Sequence, residues 1–174
     1  MHSYSSSVNE PQSRTHPLKL GALAGLIIVT FVAAAIGSIA SIRAPEFYLG
    51  LNRPSWSPPP SVFGPVWSVL YLLMAIGAWI VVRVDTWPRA KPAMMLYGAQ
   101  LALNALWTWL FFYWHSGAAA FADIIALWLL VAATIVAFGR SHKLAGALLL
   151  PYLAWVSFAT VLTWAVWHAN PATL

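Results

Sequence analysis

Cysteine is absent from this chain of 174 residues, and charged residues make up only 7% of it. Without cysteine there is no disulfide framework, no thiol nucleophile and no thiolate metal site. A soluble domain carries about 25% charged residues, whereas 61% of this chain is hydrophobic. The composition therefore predicts a membrane protein.

Clustered positive charge is missing as well, although nine basic residues give a net charge of +5. The basic residues lie apart, at the ends of apolar runs, and nucleic acid needs a clustered basic face. We therefore expect the charges to meet lipid headgroups and fix orientation, with no nucleic-acid partner.

Histidine is missing from the middle of every apolar run, since His115, His142 and His168 all lie at run ends. A haem iron held within a helical bundle needs a histidine at mid-helix. No Ser/His/Asp grouping, glycine-rich phosphate loop or pair of carboxylates is present either. The sequence therefore predicts no metal and no resident cofactor.

Long apolar runs dominate what remains, and a membrane-spanning helix needs about 20 such residues. Five runs qualify as predicted helices: Leu20–Ile42, Val62–Val82, Ala93–Trp114, Ala118–Phe138 and Leu144–Trp167, the last interrupted by Pro151. The predicted fold is an all-α integral membrane protein, a single five-helix domain over residues 18–174. Residues 1–17 are polar and serine-rich and are predicted to form a disordered tail, with no cleaved signal peptide.

Basic residues alternate between the two sides of this arrangement. Seven lie in the tail and in the links after the second and fourth runs: Arg14, Lys19, Arg83, Arg89, Lys91, Arg140 and Lys143. Only Arg43 and Arg53 lie on the other side. The positive-inside rule then predicts a cytoplasmic N-terminus, with the first loop and the C-terminus on the opposite side.

The first loop, residues 43–61, leads into a proline-dense stretch. Leu51–Trp67 (LNRPSWSPPPSVFGPVW) holds five of the twelve prolines. Proline lacks an N–H and disfavours helix in the residue before it, so Pro58-Pro59-Pro60 is predicted to be extended, close to polyproline II. We expect a rigid lid that holds Trp56 over the bundle.

A polar and aromatic stripe follows one face of the third predicted helix. Its members are Gln100, Asn104, Trp107, Phe111 and Trp114, which share a face at helical spacing. Amides in hydrocarbon need partners, so this face points inward. The stripe is either interhelical packing or the wall of a pocket for a flat, mostly apolar ligand.

Two other predicted helices carry aromatic faces. The second offers Phe63, Trp67, Tyr71 and Met74, and the fifth offers Trp155, Ala159 and Leu162 beyond a kink at Pro151. Tryptophans at run ends, Trp87, Trp114 and Trp167, fit an interfacial aromatic belt instead.

Asp123 is the one acid within a predicted span. An intramembrane acid is a functional candidate by default. Because it lies about one turn from a helix end, it fits either a structural hydrogen bond or a proton or ligand site.

Small residues on the first helix (Gly21, Gly25, Ala33, Gly37 and Ser41) allow close helix approach. They predict packing within the chain or a homodimer contact, and Ala99, Ala102 and Ala105 on the third helix offer a second candidate dimer face.

Several motifs occur in a fixed order over about residues 20–170: PSWSPP, FGPVWSVLY, LNALWTWLFF, DIIALW, PYLAWVSFATVL and VWHAN. Together they closely resemble the TspO/MBR family of tryptophan-rich sensory proteins, relatives of the mitochondrial translocator protein (peripheral-type benzodiazepine receptor). The resemblance implies a bundle of five helices, usually dimeric, with a pocket for porphyrins, sterols or benzodiazepine-type drugs closed by the first loop.

By position, the resemblance places a ligand site at Trp56, Phe63, Trp67, Tyr71, Asn104, Trp107, Phe111, Trp155, Ala159 and Leu162. Thr163 stands where the family often has Asn. Trp164 and His168 replace the tyrosine and the basic residue of the proposed cholesterol pattern of mammalian members. These departures favour a porphyrin, or haem as ligand and not as cofactor, over cholesterol.

Three functions are compatible with this resemblance. The first is a receptor or sensor that binds tetrapyrroles for transport, sequestration or signalling. The second is light- and oxygen-dependent porphyrin degradation, in which Trp56 and Trp155 would be the catalytic candidates. The third is a small-molecule transporter, for which Asp123 is the only indication.

Overall fold

The computed structural model describes residues 20–174, so the predicted tail, Arg14 and Lys19 lie outside the described residues. Every regular element there is helical. The α-helices are α1 (Leu20–Ala40), α2 (Ala44–Gly50), α3 (Phe63–Val84), α4 (Trp87–Thr108), α5 (Gly117–Ser141), α6 (Lys143–Ala147) and α7 (Leu150–Ala169). A 3₁₀ turn (Pro60–Val62) precedes α3, and a π-helical turn (Trp109–Tyr113) extends α4.

Four of these helical segments are long and apolar enough to cross a membrane: α1, Pro60–Val84, α5 and Lys143–Ala169. The predicted all-helical membrane fold is thereby confirmed. α4 has 22 residues but falls outside that set, because Arg89, Lys91, Gln100 and Asn104 lower its apolar character. Length and composition therefore leave the predicted fifth span unconfirmed.

α4 begins at Trp87, well before the predicted start at Ala93. Pro88 occupies the first turn, where its missing N–H costs no helical hydrogen bond. Arg89 and Lys91 remain exposed on that turn. The prediction from uncharged runs placed the start of this helix too late, because charged residues in the first turn do not prevent helix formation.

The π-helical turn at the other end of α4 changes the predicted stripe. A π-turn holds more residues per turn than an α-helix, so the side chains that follow it leave the face they would share in a regular helix. Phe111 is buried, but Trp114 is 55% exposed. Trp114 is therefore not part of the inward stripe, and its exposed position suits the interfacial role.

The fifth predicted helix is divided before Pro151. α6 ends at Ala147 and α7 starts at Leu150, which places Pro151 in the first turn of α7. Proline is tolerated there. The predicted kink at Pro151 is thus a break between two helices, located at Leu148 and Leu149.

The first loop contains a helix that the sequence did not predict. Pro45 lies in the first turn of α2, which packs Tyr48 into the protein. The extended segment predicted after α2 is present at Pro59, with φ −66° and ψ 151°. Pro60 already belongs to the 3₁₀ turn that leads into α3.

α1 is fastened to α4 and its extension by side-chain contacts. The hydroxyl groups of Thr30 and Tyr97 share a hydrogen bond of 2.5 Å. Trp109 Nε1 donates to Ile36 O at 3.1 Å. A Cβ on Gly37 would lie 3.3 Å from Thr108 Oγ1, so Gly37 permits the close crossing of α1 and α4. Part of the small-residue stripe of α1 therefore serves packing within the chain.

The first loop, the α4–α5 link and the end of α7 meet at one end of the bundle. The His115 ring in the α4–α5 link stacks on Phe47 of α2, with centroids 4.2 Å apart. Asn52 in the first loop is hydrogen-bonded to Asn170 after α7, with 2.9 Å between N and Oδ1. We call this the loop end; the α3–α4 link, which contains Asp85, lies at the opposite end because α3 runs away from the loop.

Candidate ligand-binding cavity

A cavity of about 550 Å³ lies between α1, α3, α4, α5 and α7, with α2 and Pro60 closing one side. Seven of the sequence-predicted site residues line it: Phe63, Trp67, Tyr71, Asn104, Trp107, Trp155 and Ala159. Three different helices thus bring these side chains together, as the shared helical faces indicated.

Aromatic rings form one wall of the cavity. The Trp67 ring lies 5.3 Å from Tyr71 and 6.5 Å from Trp155, and the Trp155 ring lies 5.9 Å from Phe63, measured between centroids. Most of these pairs meet edge to face, a favourable arrangement for aromatic rings. Such a wall offers flat apolar surface to a ligand.

Two hydrogen bonds meet at Asn104, which lines the cavity. Tyr71 donates its hydroxyl to Asn104 Oδ1 at 2.6 Å, and Asn104 Nδ2 donates to the Tyr152 hydroxyl at 3.1 Å. These two bonds join α3, α4 and α7 through one buried amide. Asn104 is therefore both an interhelical hydrogen-bonding residue and a lining residue, so both alternatives given by the sequence apply to it, and only its partners Tyr71 and Tyr152 were not predicted.

α1 contributes mostly small side chains to the cavity lining, together with Phe31, whose ring lies 6.1 Å from Tyr71. Ala34, Ala35, Gly37, Ser38 and Ser41 all line the cavity. Prediction missed this wall, although the same small-residue stripe was the signal that could have found it. Because these side chains of α1 are small, they leave open volume next to the aromatic wall.

Two buried hydrogen-bond donors in the cavity lining have no partner among the described residues: the Tyr48 hydroxyl and Trp107 Nε1. Arg53 lies over the Tyr48 ring, with its guanidinium carbon 4.6 Å from the ring centroid, and lines neither cavity. Its buried Nε is likewise without a partner in this part of the chain. Unpaired buried donors are uncommon and call for an explanation.

A second, smaller cavity of about 30 Å³ adjoins the first. The sequence-predicted residues Phe111 and Leu162 line this space and not the larger one. Six residues border both cavities: Tyr48, Phe63, Trp107, Phe112, Trp155 and Ala159. The predicted site residues are therefore divided between two neighbouring cavities, and most of the residues that border both are aromatic.

Trp56 lies outside the lining of both cavities, contrary to its predicted place over the site. It is 49% exposed and meets Phe158 of α7 edge to face at 5.8 Å. The backbone turns at this point, because Ser57 N–H donates to Pro54 O at 3.0 Å. The turn directs Trp56 against α7, so the first loop covers the cavity through Tyr48 and Pro60 instead.

Asp123 is buried in α5 but lines neither cavity. Its Oδ2 has no hydrogen-bond partner within residues 20–174. Over the same range, His, Asp and Glu side chains form no group of three that could hold a metal ion. The cavity lining itself has no charged side chain and no histidine in the described chain.

These features define an all-helical integral membrane protein with an aromatic cavity below a helical first loop. Comparison with known proteins narrows the class, because the model of the TspO/MBR family matches residues 25–168. The chain belongs to the TspO/MBR family.

Named relatives cover most of the chain. It is 36% identical to the "Tryptophan-rich protein TspO" of Chlorobaculum tepidum over 143 residues, 79% of this chain and 90% of the relative. It is 38% identical to the "Tryptophan-rich sensory protein" of Cereibacter sphaeroides over 148 residues, 83% and 91% of the two chains. It is 40% identical to the human "Translocator protein" over 127 residues, 72% and 75% of the two chains. These names support a receptor or sensor role in a membrane.

Proposed function

We propose that this protein is a membrane receptor that binds porphyrin-type tetrapyrroles, and other flat amphipathic molecules, in the larger cavity. The observation that carries the proposal is that Trp67, Tyr71 and Trp155 line one cavity together with small side chains of α1. Ligand pockets commonly measure about 300–1,000 Å³ and are mostly apolar; the volume here is about 550 Å³. A cavity of this volume with aromatic rings in its lining suits a flat ring system.

The chemistry of the lining supports binding over acid–base catalysis. General acid–base catalysis most often uses a histidine or a carboxylate within reach of the substrate, whereas the titratable side chains that line the cavity in the described residues are the tyrosines Tyr48 and Tyr71. Bound porphyrin would therefore be held unchanged for transport, sequestration or signalling.

Light-driven porphyrin degradation remains the alternative, because tryptophan can supply electrons without acid–base groups. Trp155 borders both cavities, which supports this alternative, whereas Trp56 lines neither. The two functions differ in outcome: degradation yields a new absorbing product in light and oxygen, and binding alone does not.

We also propose that α4 is the fifth membrane span. α3 starts at the loop end, and α4 returns to it, since the α4–α5 link carries His115 against Phe47. A helix of 22 residues rises about 33 Å at 1.5 Å per residue, enough to cross a hydrocarbon core of about 30 Å. Together with the basic residues, this supports our proposal of a cytoplasmic N-terminus, a C-terminus on the opposite side, and a bacterial membrane.

A homodimer through small-residue helix faces completes the proposal. Gly98, Ala99 and Ala102 of α4 are exposed, whereas Ala105 is buried against α1 near Gly37. The exposed part of α4 is thus still available to a second copy. On α1, Gly21 and Gly25 also face open space.

The test is to add protoporphyrin IX to the purified protein in lipid nanodiscs, in the dark and then in light. Saturable quenching in the dark, with an unchanged porphyrin spectrum after illumination, supports the receptor. A product that forms only with the protein supports degradation. Protein-dependent uptake into sealed vesicles supports transport, and no saturable binding refutes all three.

A further inference from the structure

We propose that the larger cavity contains a carboxylate-binding subsite formed by the Tyr48 hydroxyl and Trp107 Nε1, with the positive charge of Arg53 behind them. This inference rests on the proposed function. It adds that the bound tetrapyrrole carries an acidic substituent and that this substituent lies at the loop end of the cavity.

The donors themselves are the first observation. Tyr48 is only 5% exposed, and its hydroxyl and Trp107 Nε1 both lack partners in the described chain. A buried donor without a partner destabilises the folded protein. Tyr71 and Tyr152 are buried hydroxyls of the same cavity region and both are hydrogen-bonded through Asn104. The two free donors are therefore exceptions within one site.

Their placement is the second observation. Tyr48 comes from the first loop and Trp107 from α4, yet both border the larger and the smaller cavity. Each can donate one hydrogen bond and Trp107 Nε1 cannot accept one. A ligand group that satisfies Trp107 Nε1 must therefore accept a hydrogen bond, and a carboxylate has a second oxygen that can accept from the Tyr48 hydroxyl.

Charge selects the carboxylate over a neutral carbonyl. The Arg53 guanidinium lies over the Tyr48 ring at 4.6 Å from its centroid and has no carboxylate partner among residues 20–174, while its buried Nε remains unpaired. A half-buried guanidinium without a counterion favours an anion nearby. Protoporphyrin fits this chemistry because its propionate groups are anionic and its ring is apolar.

The rest of the cavity can hold the ring. The Trp67 and Trp155 side chains are 6.5 Å apart between centroids and line the same cavity as Tyr48 and Trp107. An amphipathic ligand would therefore enter with its ring against these side chains and its acid toward the first loop.

The experiment compares three porphyrins on the same nanodisc-embedded protein. Protoporphyrin IX has two propionates, its dimethyl ester keeps the acceptor oxygens without the charge, and etioporphyrin has neither. The wild type should bind protoporphyrin IX about tenfold or more tightly than etioporphyrin, with the diester between them, since hydrogen bonds to charged groups are the stronger ones.

Variants then assign the subsite. Tyr48→Phe and Trp107→Phe should each lower the affinity for protoporphyrin IX about tenfold more than the affinity for etioporphyrin, so the preference for the acidic porphyrin falls. Arg53→Gln should weaken protoporphyrin IX and leave the diester unchanged. Tyr113→Phe and Trp164→Phe are matched controls, because both side chains are exposed, at 61% and 48%.

The outcomes separate this inference from the proposed function. Equal affinity for all three porphyrins in the wild type would overturn the subsite and leave the receptor standing, even if a variant failed to fold. Binding of none of the three would overturn the receptor and the subsite together. Equal losses for etioporphyrin and protoporphyrin IX in both Phe variants would show packing only and would also overturn the subsite.

Discussion

The side chain of Asn170 and the backbone of Asn52 exchange two hydrogen bonds across 118 positions of sequence. Asn52 N–H donates to Asn170 Oδ1, and Asn170 Nδ2 donates to Asn52 O, both at 2.9 Å. The same Nδ2 donates to Val166 O at 2.7 Å. One buried amide after α7 therefore fixes the middle of the first loop, including Leu51, which packs in a cluster with Leu162 and Val166.

Asn170→Ala should loosen the first loop because it removes all three of these bonds. We expect a loss of about 1–3 kcal/mol in stability, faster hydrogen exchange over the first loop, and faster release of protoporphyrin IX. Asn52→Ala is the control, since the Asn52 side chain makes only a 3.5 Å contact with Ala169 O. Equal effects of the two substitutions would count against the anchor.

Trp56→Ala should also speed protoporphyrin IX release, through loss of the contact with Phe158, while changing the equilibrium affinity much less than a change in the cavity wall. Stopped-flow release and equilibrium titration separate the two quantities. A large loss of affinity with an unchanged release rate would place Trp56 in the site after all.

Trp155→Ala should weaken protoporphyrin IX binding about tenfold or more, about 1.4 kcal/mol, because it removes a ring from the cavity wall. Trp107→Ala should have a similar effect. Trp164→Ala, on the exposed side of the same helix as Trp155, should bind as the wild type does. Titration by fluorescence quenching measures all three, and an unchanged affinity in folded Trp155→Ala would move the site elsewhere.

Asn104→Leu and Gln100→Leu should affect stability in opposite directions, although the two residues are one turn apart. Asn104→Leu leaves the hydroxyls of Tyr71 and Tyr152 without their shared partner, at a cost of about 1–3 kcal/mol for each group left unpaired. Gln100 is fully buried, has an unpaired Oε1 and makes only a 3.9 Å contact with Met74 Sδ. Gln100→Leu should therefore be neutral or stabilising. Thermal unfolding in detergent decides, and a Gln100→Leu that melts as early as Asn104→Leu would contradict the assignment.

The absence of cysteine makes the proposed crossing of α4 directly measurable. Single substitutions Arg89→Cys and His115→Cys mark its two ends in an otherwise cysteine-free chain. A membrane-impermeant maleimide added to intact cells should label the His115→Cys protein and not the Arg89→Cys protein, with Thr173→Cys labelled as well. Labelling of both ends of α4 from the same side would rule out the fifth span.

Ala102→Cys should form a disulfide-linked dimer on mild oxidation if the exposed small face of α4 meets a second copy. Gly25→Cys tests the α1 alternative, and Leu129→Cys, which is 59% exposed on α5, is the lipid-facing control. Cross-linking of none of these, together with a monomer by sizing in detergent, would refute the homodimer.

Much of the helical layout followed from the sequence, because hydrophobic runs bounded by proline or charge decide where long helices form in a membrane. Asn104 and Trp107 could be placed on one inward face because helical spacing fixes which side chains share a face, and the family resemblance placed Trp155 of another helix beside them. Helix ends were predicted less well. Arg89 and Lys91 were assigned to the link between two helices, although exposed charged residues are common in the first turn of a helix.

The remaining differences arise from tertiary contacts that a single helix pattern does not contain. The π-turn rotates Trp114 outward, the turn at Pro54 directs Trp56 to Phe158, and the pairing of Asn104 with Tyr71 and Tyr152 needs three helices. Tyr48 was missed for the same reason, since α2 is a short helix stabilised by its packing.

The wall formed by Ala34, Ala35 and Ser38 of α1 makes the cavity adjustable by substitution. Side chains can be enlarged there without altering the aromatic rings, the hydrogen bonds of Asn104 or the first loop. Ala34→Leu would occupy part of the space, and filling a cavity commonly stabilises a protein by about 0.5–2 kcal/mol. A graded series at this position, from Val to Leu to Phe, would reduce the cavity volume stepwise and so show the largest molecule that the protein accepts.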